Sequence, residues 1–253
     1  MRVALCLYGT MGGTMGKAGE RNGNKMDVFQ HAFPHYKKFI LDVNDVDVFI
    51  HSWDTDIEEE VVCNYNPIDC KFEEQITFDI PDHIDKTQRV QNHFSRWYSC
   101  KEVVELKKMY EVHNKFEYDF VMLARQDIAW QSDIVFSKYD NEYFYVAEWY
   151  QHHTGVSMGY PNGSFNQSLQ DIWLFSNSEY INSIVEIYDD IPSFHSENNV
   201  LSQYKGISNH RLIYYKLLKM GLIPDKLKFA MRHDRLGFGE TPLVKWLYFG
   251  DKT

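Results

Sequence analysis

Two charged residues follow an apolar run of the chain, and their types suit the binding of phosphate or of a metal ion. The run Phe120–Ala124 leads directly into Arg125, Gln126 and Asp127. An arginine grips phosphate through a two-pronged hydrogen-bonded fork, and a carboxylate can hold a divalent cation against a pyrophosphate. Because both charges come directly after a buried strand, we expect them to lie close together where a sheet meets solvent. The alternative interpretation is a structural ion pair at the end of a strand.

Asp171 and the histidines are further candidates for chemistry. Asp171 precedes the apolar run Ile172–Phe175, where a carboxylate either accepts a proton from an attacking hydroxyl group or caps the loop. His233, next to Asp234, is the strongest candidate among the histidines. Four others lack the spacing typical of metal ligands, and we expect them in ordinary surface or hydrogen-bonding positions: His152, His153, His195 and His210.

A glycine-rich segment follows the first apolar run, but it matches neither of the common phosphate-binding motifs. A Walker A loop requires glycine where the chain has Met11, and serine or threonine where Ala18 follows Lys17. The dinucleotide fingerprint GxGxxG finds no register there either. We interpret the segment as a flexible loop that can close over a ligand, since repeated glycines let backbone amides approach phosphate.

Alternating strand and helix patterns position these residues. Short apolar runs predict buried strands, and apolar residues spaced three or four apart predict helices. The predicted strands are Val3–Tyr8, Val46–Trp53, Lys71–Ile80, Phe120–Ala124, Tyr143–Trp149 and Ile172–Phe175. The predicted helices are one over Phe29–Ile40 that is kinked or begins at Pro34, one over Thr87–His113, one capped by Ser176 with Glu179, and one over Asn209–Met220. The acidic stretch Asp54–Glu60 is expected to be a solvated loop.

This alternation predicts one α/β domain with a mostly parallel, twisted sheet flanked by helices. Ligands bind such sheets at the carboxyl ends of the strands. Three segments therefore become candidate binding positions: Tyr8–Thr10, His51–Asp54 and Arg125–Asp127.

Charge and cysteine content exclude several classes of protein. The 253 residues carry a formal net charge of −10 and contain no basic run, so binding to a nucleic-acid polymer is not expected. The four cysteines form no CxxC pair, which disfavours a zinc cluster and favours reduced thiols in a cytoplasmic protein. No apolar stretch reaches 18 residues, so we expect no transmembrane segment.

Taken together, these features resemble a group of nucleotide-sugar glycosyltransferase-like proteins with a GT-A-type fold, found in bacterial surface-polysaccharide gene clusters and in phage and giant-virus genomes. The matching segments keep the same order over most of residues 1–190: RVALCLYG, KKFILDVNDVDVFIHSWD, FSRWYSCKEVVELKKMYE, YDFVMLARQDIAW and DIWLFSNSEYIN. The resemblance implies a single GT-A-like, Rossmann-related domain over residues 1–253. Residues 1–130 would form its nucleotide-sugar-binding half, and residues 131–253 its acceptor half with the C-terminal helices.

The resemblance also implies donor-binding roles for individual residues. Tyr8, Gly9 and Thr10 would border the base of the nucleotide sugar. The segment from His51 to Asp54 would border the nucleoside. Contacts with the donor sugar or phosphate would come from Arg96 and Tyr98.

Residues 125–127 correspond to the Asp-x-Asp motif through which GT-A enzymes hold manganese or magnesium on the diphosphate. Here Arg125 replaces the first carboxylate, so Asp127 alone should hold a metal weakly, while Arg125 supplies part of its charge. We therefore expect a divalent cation only with bound nucleotide, completed by His233. Asp127 and Arg125 would stabilise charge on the leaving diphosphate. Asp171 would be the catalytic base if the reaction inverts configuration.

Three functions fit these observations. The first is a glycosyltransferase that moves a sugar from a nucleotide-sugar donor to a carbohydrate or other hydroxyl acceptor, and we favour it. The second is a non-catalytic carbohydrate- or nucleotide-binding module, which the altered Asp-x-Asp motif supports. The third is a nucleotidyltransferase that makes the sugar nucleotide. That function needs a basic loop after the first strand, for which Lys17 and Arg21 are poor substitutes.

Overall fold

Alternate residues of the first strand face opposite sides of the central sheet, and both sides are buried. Leu5 and Leu7 pack into one hydrophobic cluster, whereas Ala4 and Cys6 pack into another. All four are fully buried. A strand covered on both faces is typical of a parallel sheet that lies between layers of helices.

The computed structural model describes residues 1–11, 25–84, 88–147, 149–151, 156–158, 169–195 and 208–230. The strands are β1 Val3–Gly9, β2 Val46–Ser52, β3 Asp69–Phe72, β4 Phe120–Arg125, β5 Phe144–Ala147, β6 Trp149–Gln151, β7 Val156–Met158, β8 Trp173–Ser176 and β9 Leu227–Ala230. The helices are α1 Lys25–Tyr36, α2 Glu58–Tyr65, α3 Gln88–Asn114, α4 Ser178–Ile184, α5 Ile187–Phe194 and α6 Asn209–Lys219.

Seven strands form one sheet in the order β3-β2-β1-β4-β8-β5-β9. Strand β8 pairs antiparallel with both β4 and β5, and the other neighbouring strands pair in parallel. All strands of this sheet except β8 therefore point in one direction, which confirms the predicted mostly parallel α/β sheet, while β6 and β7 form a separate antiparallel pair. Because β8 is reversed, its first residue lies at the carboxyl edge of its neighbours. Asp171, two residues before β8, reaches that same edge.

Helices cover both faces of the sheet, as the buried pattern of β1 requires. The long helix α3 packs on one face together with α4, α5 and α6. The other face is covered by α1 and α2. None of the helices in the described part of the chain is both long and apolar enough to cross a membrane.

Several local predictions match only in part. The strand expected over Lys71–Ile80 is regular only at its start, where β3 ends at Phe72. Pro34 lies inside α1, which continues as a π-helical turn at Lys37–Leu41. The helix expected after Ser176 is divided into α4 and α5.

Two local predictions are wrong. The stretch Asp54–Glu60 is not a solvated loop, because it forms a turn of 3-10 helix at Thr55–Ile57 and then the first turn of α2. Consecutive glutamates suit that position, since negative charge is favourable at the N-terminal end of a helix. The N-cap of α4 is Asn177 rather than Ser176, and its side chain accepts a backbone hydrogen bond from the first turn.

Candidate active site

The carboxyl ends of β1, β2 and β4 lie side by side, and they bring three predicted residues into one row. Tyr8 near the end of β1 pairs in register with His51 of β2 on one side and with Arg125 of β4 on the other. These three strands are parallel neighbours, as a mostly parallel sheet that gathers the three candidate segments at one edge requires. The topology thus gathers these candidates at the sheet edge where ligands of parallel α/β proteins bind.

Gly9 fixes the end of β1 to the elements around it. Its φ of +91° lies in the left-handed region, which glycine adopts without steric cost. Its N–H donates to Ser99 Oγ of α3 at 2.8 Å. Its carbonyl accepts hydrogen bonds from Gln126 Nε2 at 3.1 Å and from Ser52 Oγ at 3.1 Å. The edge is therefore held rigidly at its centre by side chains from three directions.

Arg125 and Asp127 form a closed pair after β4. Arg125 Nε donates to one oxygen of Asp127 at 2.7 Å, and its Nη2 donates to the other oxygen. The Asp127 side chain is 1% exposed, whereas Arg125 is 21% exposed. Burial lowers the pKa of Arg125, but the Asp127 carboxylate more than offsets this and raises that pKa above its ordinary value. As arranged here, the main role of Asp127 is to hold the guanidinium.

Arg96 of α3 and Asp171 form a second pair at the same edge. Arg96 Nη1 donates to Asp171 Oδ2 at 2.6 Å, and its Nη2 donates to the Tyr8 hydroxyl. The Tyr8 hydroxyl in turn donates to the Asp171 carbonyl at 3.1 Å. Although burial lowers the pKa of Arg96, Asp171 and Tyr8 raise it above its ordinary value. His210, in the first turn of α6, places Nδ1 3.3 Å from the other oxygen of Asp171.

His51 is buried in a hydrogen-bonded chain of side chains. Its Nδ1 lies 2.7 Å from Ser99 Oγ, and its Nε2 lies 3.0 Å from Glu73 Oε1. Burial lowers the pKa of His51, so the imidazole is neutral near pH 7. This chain of hydrogen bonds connects β2 with α3 and with the segment that follows β3. It includes Ser99, which also accepts the hydrogen bond from Gly9.

A group of possible metal ligands lies beside His51. The ligand atoms of His51, Glu73 and Glu102 all lie within 4.8 Å of one another. The ammonium of Lys71 is 3.1 Å from Glu73 Oε1 and 2.7 Å from Glu102 Oε2. Lys71 thus supplies the positive charge of this cluster. Tyr98 completes it, because its hydroxyl accepts a hydrogen bond from Lys71 at 3.2 Å.

Asp54 is fully buried and binds protein groups through both oxygens. One oxygen accepts from the Met11 N–H, and the other lies 3.0 Å from Lys25 Nζ. Burial raises the pKa of Asp54, which its bond to Met11 and its ion pair with Lys25 partly offset. Asp54 therefore ties the chain after β1 to the start of α1.

The remaining predicted site residues divide into two groups. Thr10 follows β1 and is partly exposed, and Tyr98 stacks on Trp53 with 5.5 Å between ring centroids. His233 and the glycine-rich segment 12–24 lie outside the described residues. The predicted donor-binding and metal-binding roles stay predictions.

Sequence reasoning missed two residues of this site. Ser99 lies three positions after Arg96 on α3, a spacing that puts both on one helix face and that could have indicated it. His210 was expected in an ordinary position, and no local pattern connects it with Asp171. The reversal of β8 and the packing of α6 bring these two residues together.

Comparisons with known proteins do not identify a family for the chain. No protein-family model matches the chain, and no curated protein matches it. Among solved structures, it is similar to 4-diphosphocytidyl-2C-methyl-D-erythritol synthase from Anaerococcus prevotii, with a TM-score of 0.42 and 13% identity. That alignment covers 90% of this chain and 86% of the other. At this level of similarity, the function of the chain has to be inferred from its own side chains.

Proposed function

We propose that the chain is a glycosyltransferase that moves a sugar from a nucleoside diphosphate sugar to a hydroxyl acceptor, such as that of a carbohydrate. The observation that carries this proposal is the convergence of two guanidinium groups, those of Arg96 and Arg125, at the carboxyl edge of a parallel sheet. The guanidinium of Arg96 lies 5.3 Å from the centre of the Tyr8 ring, and Arg125 pairs in register with Tyr8. Two such groups suit a diphosphate, whose charge grows as the sugar leaves.

The closed pair supports this role because it presents Arg125 in a fixed orientation. A guanidinium has five N–H donors, and the fork to Asp127 uses one on Nε and one on Nη2. Within the part of the chain that the structure describes, the remaining donors make no hydrogen bond to protein, and we assign them to phosphate oxygens. Because Asp127 already fixes the side chain, binding a diphosphate requires little reorganisation of Arg125, and such preorganisation is what makes electrostatic catalysis effective.

Asp127, the predicted metal ligand, does not present a free carboxylate to a divalent cation as it is arranged here. A hard cation takes oxygen ligands, often carboxylates, and both oxygens of Asp127 already accept hydrogen bonds from the positively charged Arg125. In the proposed reaction, the positive charge that stabilises the leaving diphosphate is therefore that of Arg125, assisted by Arg96. Binding of a cation together with nucleotide requires that Asp127 first release part of the fork, and it stays a prediction.

A ligand screen followed by a turnover assay tests the proposal. Thermal unfolding is measured with UDP-, GDP- and dTDP-hexoses, and with a CMP-linked sugar as the single-phosphate comparison. A matching donor at 100 times its Kd should add about 2.7 kcal/mol to the free energy of unfolding. Release of nucleoside diphosphate, followed by mass spectrometry, then measures turnover. A protein that no diphosphate sugar stabilises contradicts the proposal.

A non-catalytic binding module is the second candidate, and one observation favours it. Both guanidinium groups at the edge are already paired with carboxylates, Arg125 with Asp127 and Arg96 with Asp171. Their positive charge is therefore partly balanced before any ligand binds. Stabilisation by a sugar nucleotide without release of nucleoside diphosphate, in the presence of varied hydroxyl acceptors, would favour this module over the transferase.

A further inference from the structure

A histidine completes the second arginine–carboxylate pair on its outer side. His210 Nδ1 lies 3.0 Å from the Leu169 carbonyl and 3.3 Å from Asp171 Oδ1. Both of these atoms are hydrogen-bond acceptors, so Nδ1 must be the donor. In the neutral imidazole one nitrogen carries the proton and the other carries the basic lone pair. The surroundings of His210 thus select the tautomer in which Nε2 is the basic nitrogen.

Exposure increases along this chain of residues from the sheet to the surface. Tyr8 is 4% exposed, the Asp171 side chain is 12% exposed, and the His210 side chain is 28% exposed. Asp171 accepts from Arg96 at one oxygen and faces His210 at the other. Of these three side chains, the imidazole of His210 is the most exposed, so it is the one that an acceptor molecule arriving from solvent would meet first.

We propose that His210 is the general base of the transfer reaction and that Asp171 is the positioning residue that holds it. This inference rests on the proposed glycosyltransferase function and assigns the acceptor side of the same site. The arrangement follows a general rule for histidine bases, in which a carboxylate on one ring nitrogen fixes the tautomer and stabilises the imidazolium that forms.

The proposed step balances in atoms and charge. The acceptor hydroxyl oxygen attacks the anomeric carbon of the donor and forms the new glycosidic bond, while its proton moves to His210 Nε2. The bond between the anomeric carbon and the phosphate oxygen breaks, and the nucleoside diphosphate leaves with the electron pair. The product sugar has inverted configuration. The imidazolium, paired with Asp171, later returns its proton to solvent.

The charged and titratable groups around His210 come from several elements. Asp171 faces it directly, and Arg96 of α3 and Tyr8 of β1 lie behind that carboxylate. The acids of α5 that pack against α6, Glu186 and Asp190, pair instead with Lys216 further along the helix. Among the residues that the structure describes, Asp171 is the carboxylate within ion-pair distance of His210, so its loss should change the behaviour of His210.

The first test compares His210→Gln with His31→Gln. His31 is a matched control, because its Nδ1 also lies near a backbone carbonyl, at 2.7 Å from Asp27 O, and it lies on α1 across the sheet. We expect His210→Gln to lower kcat by roughly 10²–10⁴-fold while donor Kd stays unchanged. We also expect the acidic limb of the kcat–pH profile to disappear. Asp171→Asn should give a smaller loss with the donor still bound, and the product of the wild-type reaction should be inverted.

The second test needs no turnover. Long-range ¹H–¹⁵N NMR of histidine-labelled protein reports the tautomer of His210, and it should show the proton on Nδ1 in the wild type and a mixture in Asp171→Asn. A proton on Nε2, or full turnover in His210→Gln, overturns the assignment while leaving the transferase proposal in place. A wild-type protein that binds sugar nucleotides but never releases nucleoside diphosphate contradicts the transferase instead, and the base with it.

Discussion

Two arginine–carboxylate pairs lie at the carboxyl edge of the sheet, and they are built differently. Arg125 and Asp127 are two residues apart, and the arginine uses both oxygens of the carboxylate. Arg96 and Asp171 are 75 residues apart, and the arginine uses one oxygen, while His210 faces the other. The first pair is closed, and the second pair is open to a third residue.

This difference separates two tasks that a transferase site must perform. A closed pair is a fixed unit that presents one guanidinium, so it suits a task that needs steady positive charge. In the open pair, the second oxygen of the carboxylate orients an imidazole, and an imidazole can gain or lose a proton near neutral pH. We therefore assign the leaving diphosphate mainly to the closed pair, assisted by Arg96, and the acceptor hydroxyl to the His210 end of the open pair.

Among substitutions within the two arginine–carboxylate pairs, we expect the largest effect on activity at the closed pair. Arg125→Ala should lower kcat/KM for the sugar nucleotide by roughly 10²–10³-fold, because removing one preorganised charge-stabilising donor typically has that effect. Steady-state release of nucleoside diphosphate measures it. Lys101→Ala is the control, since Lys101 pairs with Asp189 at an exposed position. Unchanged kcat/KM in Arg125→Ala would mean that the closed pair is only structural.

A smaller effect should distinguish the two pairs by stability. In double-mutant cycles to alanine, we expect a coupling of about 2–3 kcal/mol between Arg125 and Asp127 and about 1 kcal/mol between Arg96 and Asp171. Removing Arg125 strands a buried carboxylate, whereas Asp171 without Arg96 still has His210 as a partner. Urea unfolding of the four variants of each pair gives both values. Equal couplings would remove the distinction between closed and open.

The closed pair was predictable from the sequence, and the open pair was not. Arg125 and Asp127 come directly after one apolar run, so local spacing alone brings their side chains together. Asp171 was a candidate only as a proton acceptor or a loop cap before an apolar run, and its partners come from α3 and α6. Those contacts depend on the reversed direction of β8 and on helix packing, and neither leaves a local pattern in the sequence.

The structure also changes the interpretation of two residues that the sequence did single out. His51 lies near the end of β2 and Asp54 follows that strand, as the strand pattern indicated. Both side chains are buried among protein partners, Asp54 with Met11 and Lys25, and His51 with Ser99 and Glu73. Position along a strand predicts which edge a residue reaches, but it does not predict what the side chain contacts there.

A pH titration of stability should separate the histidine chain from both arginine pairs. The pKa of His51 is lowered by burial, so the unfolded chain takes up a proton below about pH 6.5 that the folded chain does not. The free energy of unfolding should therefore fall as pH drops from 7 to 5, by at most about 1.4 kcal/mol per pH unit for this group. The lowered pKa of Glu73 acts only at lower pH, near and below the ordinary range of a carboxyl group.

His51→Gln should reduce that pH dependence by the share that His51 contributes, as measured by urea unfolding at several pH values. His195→Gln is the matched control, because burial also lowers the pKa of His195, which lies at the end of α5 away from the row of strand ends. If the slope persists in His51→Gln and vanishes in His195→Gln, the pH dependence of stability comes from His195, and the prediction for His51 is wrong.

The smallest effect should come from removing metal. Both oxygens of Asp127 bind Arg125, so stabilisation of the charge on the leaving diphosphate does not depend on a metal cation. EDTA should therefore lower turnover without abolishing it. The Arg125→Ala variant sharpens this point, since it frees the Asp127 carboxylate to act as a metal ligand. Its residual activity should rise with manganese and fall to background in EDTA. Calorimetry of manganese binding checks the same argument, and we expect weak binding to the wild type without nucleotide. Tight binding to the free wild-type protein, or wild-type activity that EDTA abolishes, would show that the closed pair opens readily and that Asp127 is a metal ligand after all.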